Sequence, residues 1–194
     1  MIDLPSPLDK TFAHSQELPS FFNNLVRDVN KILGSDRCYL YLRDPELLLY
    51  QVTHCYCTDP SIADLTQAEP TTEPYYIFEQ DPFFAAALEK KSNIYVDDIQ
   101  NLILQEQAKE QDSSWSSNYL EHKALIQAHL VIEEQLWGII RVEQFQKLRP
   151  WTKFDRDLIN LIGDRITPLA TVYVRKEIRN TLQQYNDGHQ IGSM

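Results

Sequence analysis

Glycine is scarce in this sequence, with 5 in 194 residues, and none form the clusters that phosphate loops use. Such loops need clustered glycines so that backbone N–H groups can approach the ligand, so the common mononucleotide and dinucleotide motif classes are excluded. Cysteine is also scarce: Cys38, Cys55 and Cys57 are the full set. An odd count in a chain long enough to build its own core fits a reducing, cytoplasmic setting better than a disulfide scaffold. No apolar run nears the ~20 residues of a bilayer span, and MIDLPSPLDK has neither a basic n-region nor an apolar h-region. Membrane insertion and classical secretion are therefore not expected. Basic side chains are in the minority, 18 Lys and Arg against 28 Asp and Glu, for a formal charge of −10. Phosphate neutralisation needs the opposite balance, which argues against a nucleic-acid partner. A chain of this size buries roughly 70% of its unfolded surface, enough for one core without metal or disulfides.

Residues 1–19 carry three prolines and no sustained period, and read as a mobile or surface-laid leader. Phe22, Leu25, Val26, Val29, Ile32 and Leu33 then mark one face of a helix over 20–33, with Ser20 as its N-cap and Gly34 as its stop. RCYLYLR (37–43) and LLLYQVTHCYC (47–57) alternate in the manner of a hairpin turned at Asp44-Pro45. In it Cys38 is expected in the core, and Cys55 and Cys57 share one strand face. Residues 58–80 read as a long polar loop that covers or lines something. Asp81-Pro82 opens a short helix, with Asp as N-cap and Pro at the first helical position. IYV is a short strand ending at the Asp97-Asp98 turn, and 99–123 holds one or two short helices. ALIQAHLVI (124–132) and QLWGIIRVEQF (135–145) form a second hairpin through Glu133-Glu134. A long helix closes the chain over 152–184, with Pro168 expected to kink or loosen one turn, and 185–194 reads as a flexible tail. Antiparallel strands interrupted by helices define a single α+β domain over 20–184, with the terminal helices on one sheet face and a pocket region on the other.

Few residues offer chemistry. His54-Cys55-x-Cys57 lacks the second ligand pair that a metal site needs, and alternate strand positions make poor disulfide geometry. Asp81 reads either as a helix cap or as a pocket-facing carboxylate. Asp97, Asp98, Glu133 and Glu134 lie at turns, where solvated carboxylates are the default. His122 and His129 are the candidate ligand contacts, against the alternative of histidines paired with backbone or water. Tyr75, Tyr76, Phe78, Phe83 and Phe84 either line a pocket for a flat ligand or fill it. No nucleophile, base and orienting group occur in supporting context, so no enzyme is expected.

Four stretches together resemble the GAF domains, in particular the bilin-binding GAF domains of cyanobacteriochromes and phytochromes. SNIYVDDI resembles the short strand ending in aspartate before the pocket helix. QLWGIIRVEQF resembles the penultimate strand with its Leu-Trp-Gly opening, and WTKFDRDLINLIGDRITPLA the aromatic-x-x-x-Asp start of the closing helix. Asp81-Pro82-Phe83-Phe84 stands where one cyanobacteriochrome group carries Asp-x-Cys-Phe. The resemblance implies a GAF-like antiparallel sheet over about 20–184, with Asp81, Phe84, Tyr76, His122 and His129 around its pocket. It also exposes departures. The Cys-His pair that attaches the chromophore in those relatives aligns with Ser116-Ser117, or in a shifted register with Glu121-His122, and no cysteine lies beyond position 57. Thioether formation needs a thiolate, so covalent bilin attachment is not expected. The resemblance therefore implies a non-enzymatic regulatory or scaffold domain acting through protein partners, with no cofactor attached. The alternative is a sensor that holds a bilin or another planar or anionic molecule noncovalently. A free-methionine sulfoxide reductase, an activity of the same fold, would need redox cysteines around the pocket. The apolar faces of 20–33 and 152–184 suggest a homodimer paired through the terminal helices.

Overall fold

A computed structural model describes residues 3–74, 81–89, 91–109 and 119–180. The elements run α1 (Ser6–Ala13), α2 (Leu18–Leu33), β1 (Arg37–Asp44), β2 (Leu49–Cys57), β3 (Thr71–Thr72), α3 (Pro82–Leu88), β4 (Ile94–Val96), α4 (Ile99–Lys109), β5 (Ala124–Ile132), β6 (Gln135–Gln144) and α5 (Lys153–Tyr173). A π-helical turn, Val174–Ile178, continues α5. The strands form one antiparallel sheet in the order β3-β2-β1-β6-β5-β4. This is the expected α+β architecture.

The alternation along the strands sorts residues onto two faces. Cys38, Leu40 and Leu42 of β1, Ile140 and Val142 of β6, and Ala124, Ile126, Ala128 and Leu130 of β5 pack beneath the helices. The facing helix residues are Phe22, Leu25, Val26, Val29 and Leu33 of α2, with Leu158, Ile159, Ile162, Ile166 and Ala170 of α5. Each fully buried side chain of this kind is worth about 1.5–3 kcal/mol relative to exposure. Two bulges adjust the sorting. The β5–β6 register passes from Leu130↔Gly138 to Val131↔Leu136, so Trp137 is the extra residue and joins the helix face. Gly138 is required there by close approach: a Cβ would lie 2.4 Å from the Tyr41 carbonyl oxygen. The β1–β2 register skips Thr53 and puts His54 beneath the helices, against Phe22 and Tyr173.

Several boundaries differ from the sequence reading. Within the stretch read as a mobile or surface-laid leader, residues 6–13 form a helix that buries Leu8 fully in the helix-face core. Ser20 is not the N-cap of α2; Glu17 holds that position, and the Ser20 hydroxyl donates to its carboxylate at 2.9 Å. Gly34 does stop α2, in the left-handed conformation (φ 57°) that glycine adopts without steric cost. The polar stretch after β2, expected to cover or line something, is pinned to the sheet edge and lends residues 61–63 and Leu65 to a cavity wall. Gln67 exchanges bonds with the Val52 backbone, and Thr71–Thr72 adds a short edge strand to β2. Pro168 lies inside a continuous α5, and the irregular turn comes later, at Val174–Ile178.

The aspartates of the closing helix and of the turn after β4 are structural. Thr152 and Asp155 form a reciprocal capping box. Asp97 accepts the Trp151 backbone N–H at 2.9 Å, and the Trp151 indole N–H donates to the Val96 carbonyl at 3.0 Å. Asp98 caps the first turn of α4 through the Asn101 N–H. No helix among the described residues is long and apolar enough to cross a membrane.

Candidate ligand cavity

The face of the sheet turned away from α2 and α5 carries a different set of side chains. Arg37, Tyr39, Tyr41 and Arg43 of β1 project there, with Arg141 and Glu143 of β6. Part of this face is closed. Phe84 of α3 packs on Tyr41 with ring centroids 4.9 Å apart, and Tyr41 stacks on Tyr50 at 4.9 Å. Arg43 forks onto Glu73 at 2.5 and 2.7 Å, which ties the chain after β3 to the sheet. The remainder is a cavity of about 1040 Å³, whose wall includes Arg37, Tyr39, Asp81, His122, Arg141 and Glu143.

Two buried ionic groups build that wall. In the first, the Arg37 guanidinium donates to Glu143 Oε2 from Nε (2.7 Å) and approaches it from Nη2 (2.6 Å). Its Nη1 donates to the Ala63 carbonyl at 3.0 Å. Burial alone would raise the Glu143 carboxyl, but His122, Arg37 and Arg141 outweigh it and hold the pKa down to about 2. In the second group, Arg141, 3% exposed, donates from Nε to Gln127 (2.6 Å) and from Nη1 to the Tyr119 hydroxyl (2.8 Å). Its Nη2 lies 3.0 Å from Asp81 Oδ2. Burial acts to lower the Arg141 pKa, and Asp81 with the surrounding tyrosines more than offsets it, so the guanidinium stays charged. Two cations and two carboxylates thus alternate along the wall and cancel in charge.

His122 is the polar residue left over. It is 6% exposed, it packs between the Tyr119 and Phe145 rings, and its Nε2 lies 3.3 Å from Glu143 Oε1. That approach pairs Nε2 with the carboxylate, while the equally buried Nδ1 has no hydrogen-bond partner. An unsatisfied buried polar group costs about 1–3 kcal/mol, so a ligand atom able to bond this ring gains by binding here.

The five sequence candidates separate. His122 and Asp81 line the cavity. Asp81 fills both of its alternative roles: Oδ1 accepts the Phe84 N–H as the α3 cap at 2.9 Å, while Oδ2 faces Arg141. Phe84 does not line the cavity; it is 1% exposed and fills the space between α3 and the sheet. His129 does not line it either. Its Nδ1 pairs with the Lys91 carbonyl at 3.0 Å, its Nε2 pairs with Gln127 Nε2 at 2.9 Å, and its backbone N–H donates to Asn93. Burial lowers its pKa, in keeping with a neutral ring that both donates and accepts. Tyr76 lies outside the described residues, as do Tyr75, Phe78, Ser116 and Ser117. Sequence reasoning missed Arg37, Arg141 and Glu143. The available signal was three charges at alternate strand positions on a face that had to be covered.

Among the described residues no group of three or more His, Cys, Asp or Glu is placed to hold a metal ion. Comparison with curated proteins gives no match. Among solved structures, the chain is similar to a phycocyanobilin-bound GAF domain from a cyanobacterial phytochrome, with TM-score 0.63 and 16% identity over 91% of this chain and 100% of that one. It is similar to the GAF domain of an Acinetobacter phosphoenolpyruvate-protein phosphotransferase, with TM-score 0.61 and 9% identity over 86% and 89% of the two chains. The cyanobacteriochrome receptor PixJ gives TM-score 0.54 and 16% identity over 85% and 97%. At these identities the likeness establishes the fold. A family model for the GAF domain matches residues 17–167, and the chain belongs to the GAF domain family.

Proposed function

We propose that this regulatory GAF domain is a small-molecule sensor whose cavity holds a planar, polar-edged ligand noncovalently. The observation that carries the reading is the His122 ring, buried at the cavity wall with Nε2 beside the Glu143 carboxylate and Nδ1 without a hydrogen-bond partner. The cavity volume, about 1040 Å³, matches the upper range of small-molecule sites. Tyr39, Tyr119, Phe145 and the His122 imidazole offer aromatic surfaces around it. Arg37 and Arg141 are already matched by carboxylates, so recognition rests on hydrogen bonding and stacking more than on bulk charge. One of the similar structures is a GAF domain with phycocyanobilin bound, which makes a linear tetrapyrrole the first probe. The lack of any cysteine beyond position 57 supports a reversible complex. A ligand shifts the domain only through contacts that differ between two packings. Strand β6 is the direct route: Arg141 and Glu143 face the cavity while Ile140 and Val142 on the same strand press on the helices. The output then passes to a protein partner.

The test adds biliverdin to the purified full chain. The expected outcome is a sharpened, shifted visible band, a higher melting temperature, and complete release of pigment on acid-urea denaturation. His122→Leu should weaken binding roughly 10-fold while keeping the circular dichroism of the parent. No spectral change and no thermal shift, with biliverdin or with smaller planar carboxylates, would overturn the sensor and leave a ligand-free scaffold for a partner protein.

A further inference from the structure

Two of the three cysteines form a chemical unit that the cavity does not use. Cys55 and Cys57 are alternate residues on β2, and they point to the same face with Sγ atoms 3.9 Å apart. Both are half-buried, whereas Cys38 is fully enclosed beneath the helices. The pair lies under the 61–65 segment that walls the cavity. The Cys57 thiol donates to the Ala63 carbonyl at 3.6 Å, and that same carbonyl accepts Arg37 Nη1 at 3.0 Å. Cys57 and Arg37 are also register partners across β1 and β2, as are Cys55 and Tyr39.

Strand geometry decides what such a pair can hold. Alternate residues of an extended strand are roughly 6.7 Å apart at Cα, near the upper limit for a direct disulfide. The strand is fixed by pairing to β1, which resists the contraction that a disulfide needs. A single bridging atom between the sulfurs has no such requirement. Zinc would want two further ligands, and the described residues assemble no such set. A trivalent centre that needs only two protein sulfurs fits the geometry.

We propose that Cys55 and Cys57 form a dithiol site for trivalent monosubstituted arsenicals and chemically similar thiophilic centres. The step is a condensation, R–As(OH)2 with two thiols giving R–As(S–Cys)2 and two waters. Two As–O and two S–H bonds break, two As–S and two O–H bonds form, and arsenic stays trivalent throughout, so no oxidant or reductant enters. The product carries no charge. Burial pushes the Cys55 thiol up to about 12 and raises Cys57 as well, which slows attack through thiolate but leaves the charge-neutral overall condensation intact. This inference does not depend on what the cavity binds.

The test treats the native full chain with one equivalent of phenylarsine oxide in excess glutathione and reads intact and tryptic masses. The expected result is one phenylarsenic group that replaces both thiol hydrogens on the peptide holding Cys55 and Cys57, resists glutathione and is removed by dimercaptopropanol. Cys55→Ser and Cys57→Ser should each cut the adduct by about 100-fold, the loss of an intramolecular second bond. Cys38→Ser should keep it. Adduct on Cys38, equal labelling of the single-serine variants, or displacement by glutathione would each overturn the proposal. A Cys57→Ala variant that keeps the parent's melting temperature guards against loss of labelling through misfolding.

Discussion

The two faces of this sheet are built from the same strands, often from adjacent residues, and differ in almost every physical respect. Ile140 is fully buried under α5; Arg141, the next residue, is 3% exposed and faces the cavity. Beneath the helices the core is apolar and continuous, and shape alone has to be satisfied. On the cavity face the buried groups are Arg37, Glu143, Arg141 and Gln127, and each needs partners of defined direction. The first face is cheap to specify and tolerates conservative exchange. The second is costly to build and fails when one member is removed. Such a difference suits the proposed sensor, which would hold its fold on one side and read a ligand on the other.

The sharpest break of this contrast comes from that adjacent pair. Ile140→Ala should cost about 3 kcal/mol through a cavity in the dry core, with little change in visible-ligand titrations. Arg141→Met should cost about 3–5 kcal/mol, because Asp81, Gln127 and Tyr119 lose a buried partner together. The two differ in rescue. Adding Asp81→Asn to Arg141→Met should restore part of the loss in urea unfolding, whereas no single polar change restores Ile140→Ala. If the Arg141 double variant is additive, the carboxylate is not the partner that matters and the network picture fails.

The helix face was legible in the sequence and the cavity face only in part, for the same reason. The α2 positions Phe22, Leu25, Val26, Val29 and Leu33 announce themselves by spacing, since burial of an apolar stripe is a local, periodic signal. Asp81-Pro82 was legible as a cap for the same local reason. Arg37, Glu143 and Arg141 are brought together across β1 and β6 from positions about a hundred residues apart, and nothing in their local sequence marks one as the partner of another. His129 shows the reverse error. Its strand position suggested a ligand contact, but Lys91 and Gln127 satisfy both ring nitrogens before any ligand arrives. The bulges were equally hidden. Skipping Thr53 and Trp137 changes which face the neighbouring residues occupy, and a one-residue slip is invisible to period-2 reasoning.

Acid should take the two faces apart at different pH. His54, on the helix face, is pushed down to about 4 by burial between Phe22 and Tyr173, from an ordinary value of 6.5. The unfolded chain therefore gains its proton first, and stability should be complete above about pH 6.5 and fall by about 3 kcal/mol as pH drops to about 4. Glu143 on the cavity face, at about 2 against 4.5, adds stability above pH 4.5 that is lost between about 4.5 and 2. Urea midpoints measured from pH 8 to pH 3 should show both windows. His54→Phe should flatten the upper one and leave the lower unchanged; a variant that still loses stability between 6.5 and 4.5 would assign that slope to another group.

The smallest effect concerns the register that sorts the faces in the first place. Ile132 pairs with Gln135 across a two-residue turn, and both turn residues, Glu133 (φ 51°) and Glu134 (φ 64°), adopt the left-handed conformation. Turns of this shape favour Asn-Gly, because a side chain with Cβ meets the backbone there and asparagine and glycine tolerate it best. Two glutamates side by side also repel at neutral pH. The register therefore holds despite its turn, fixed by the Trp137 bulge and by the packing of β5 and β6 on both faces. Replacing Glu133-Glu134 with Asn-Gly should raise stability by about 1 kcal/mol, read as a higher urea midpoint with unchanged slope. Ligand titrations and the acid windows should not move, because neither turn residue is among the side chains that build the apolar core or line the cavity. A gain that came with altered ligand binding would show that the turn strain is coupled to the cavity rather than confined to the hairpin.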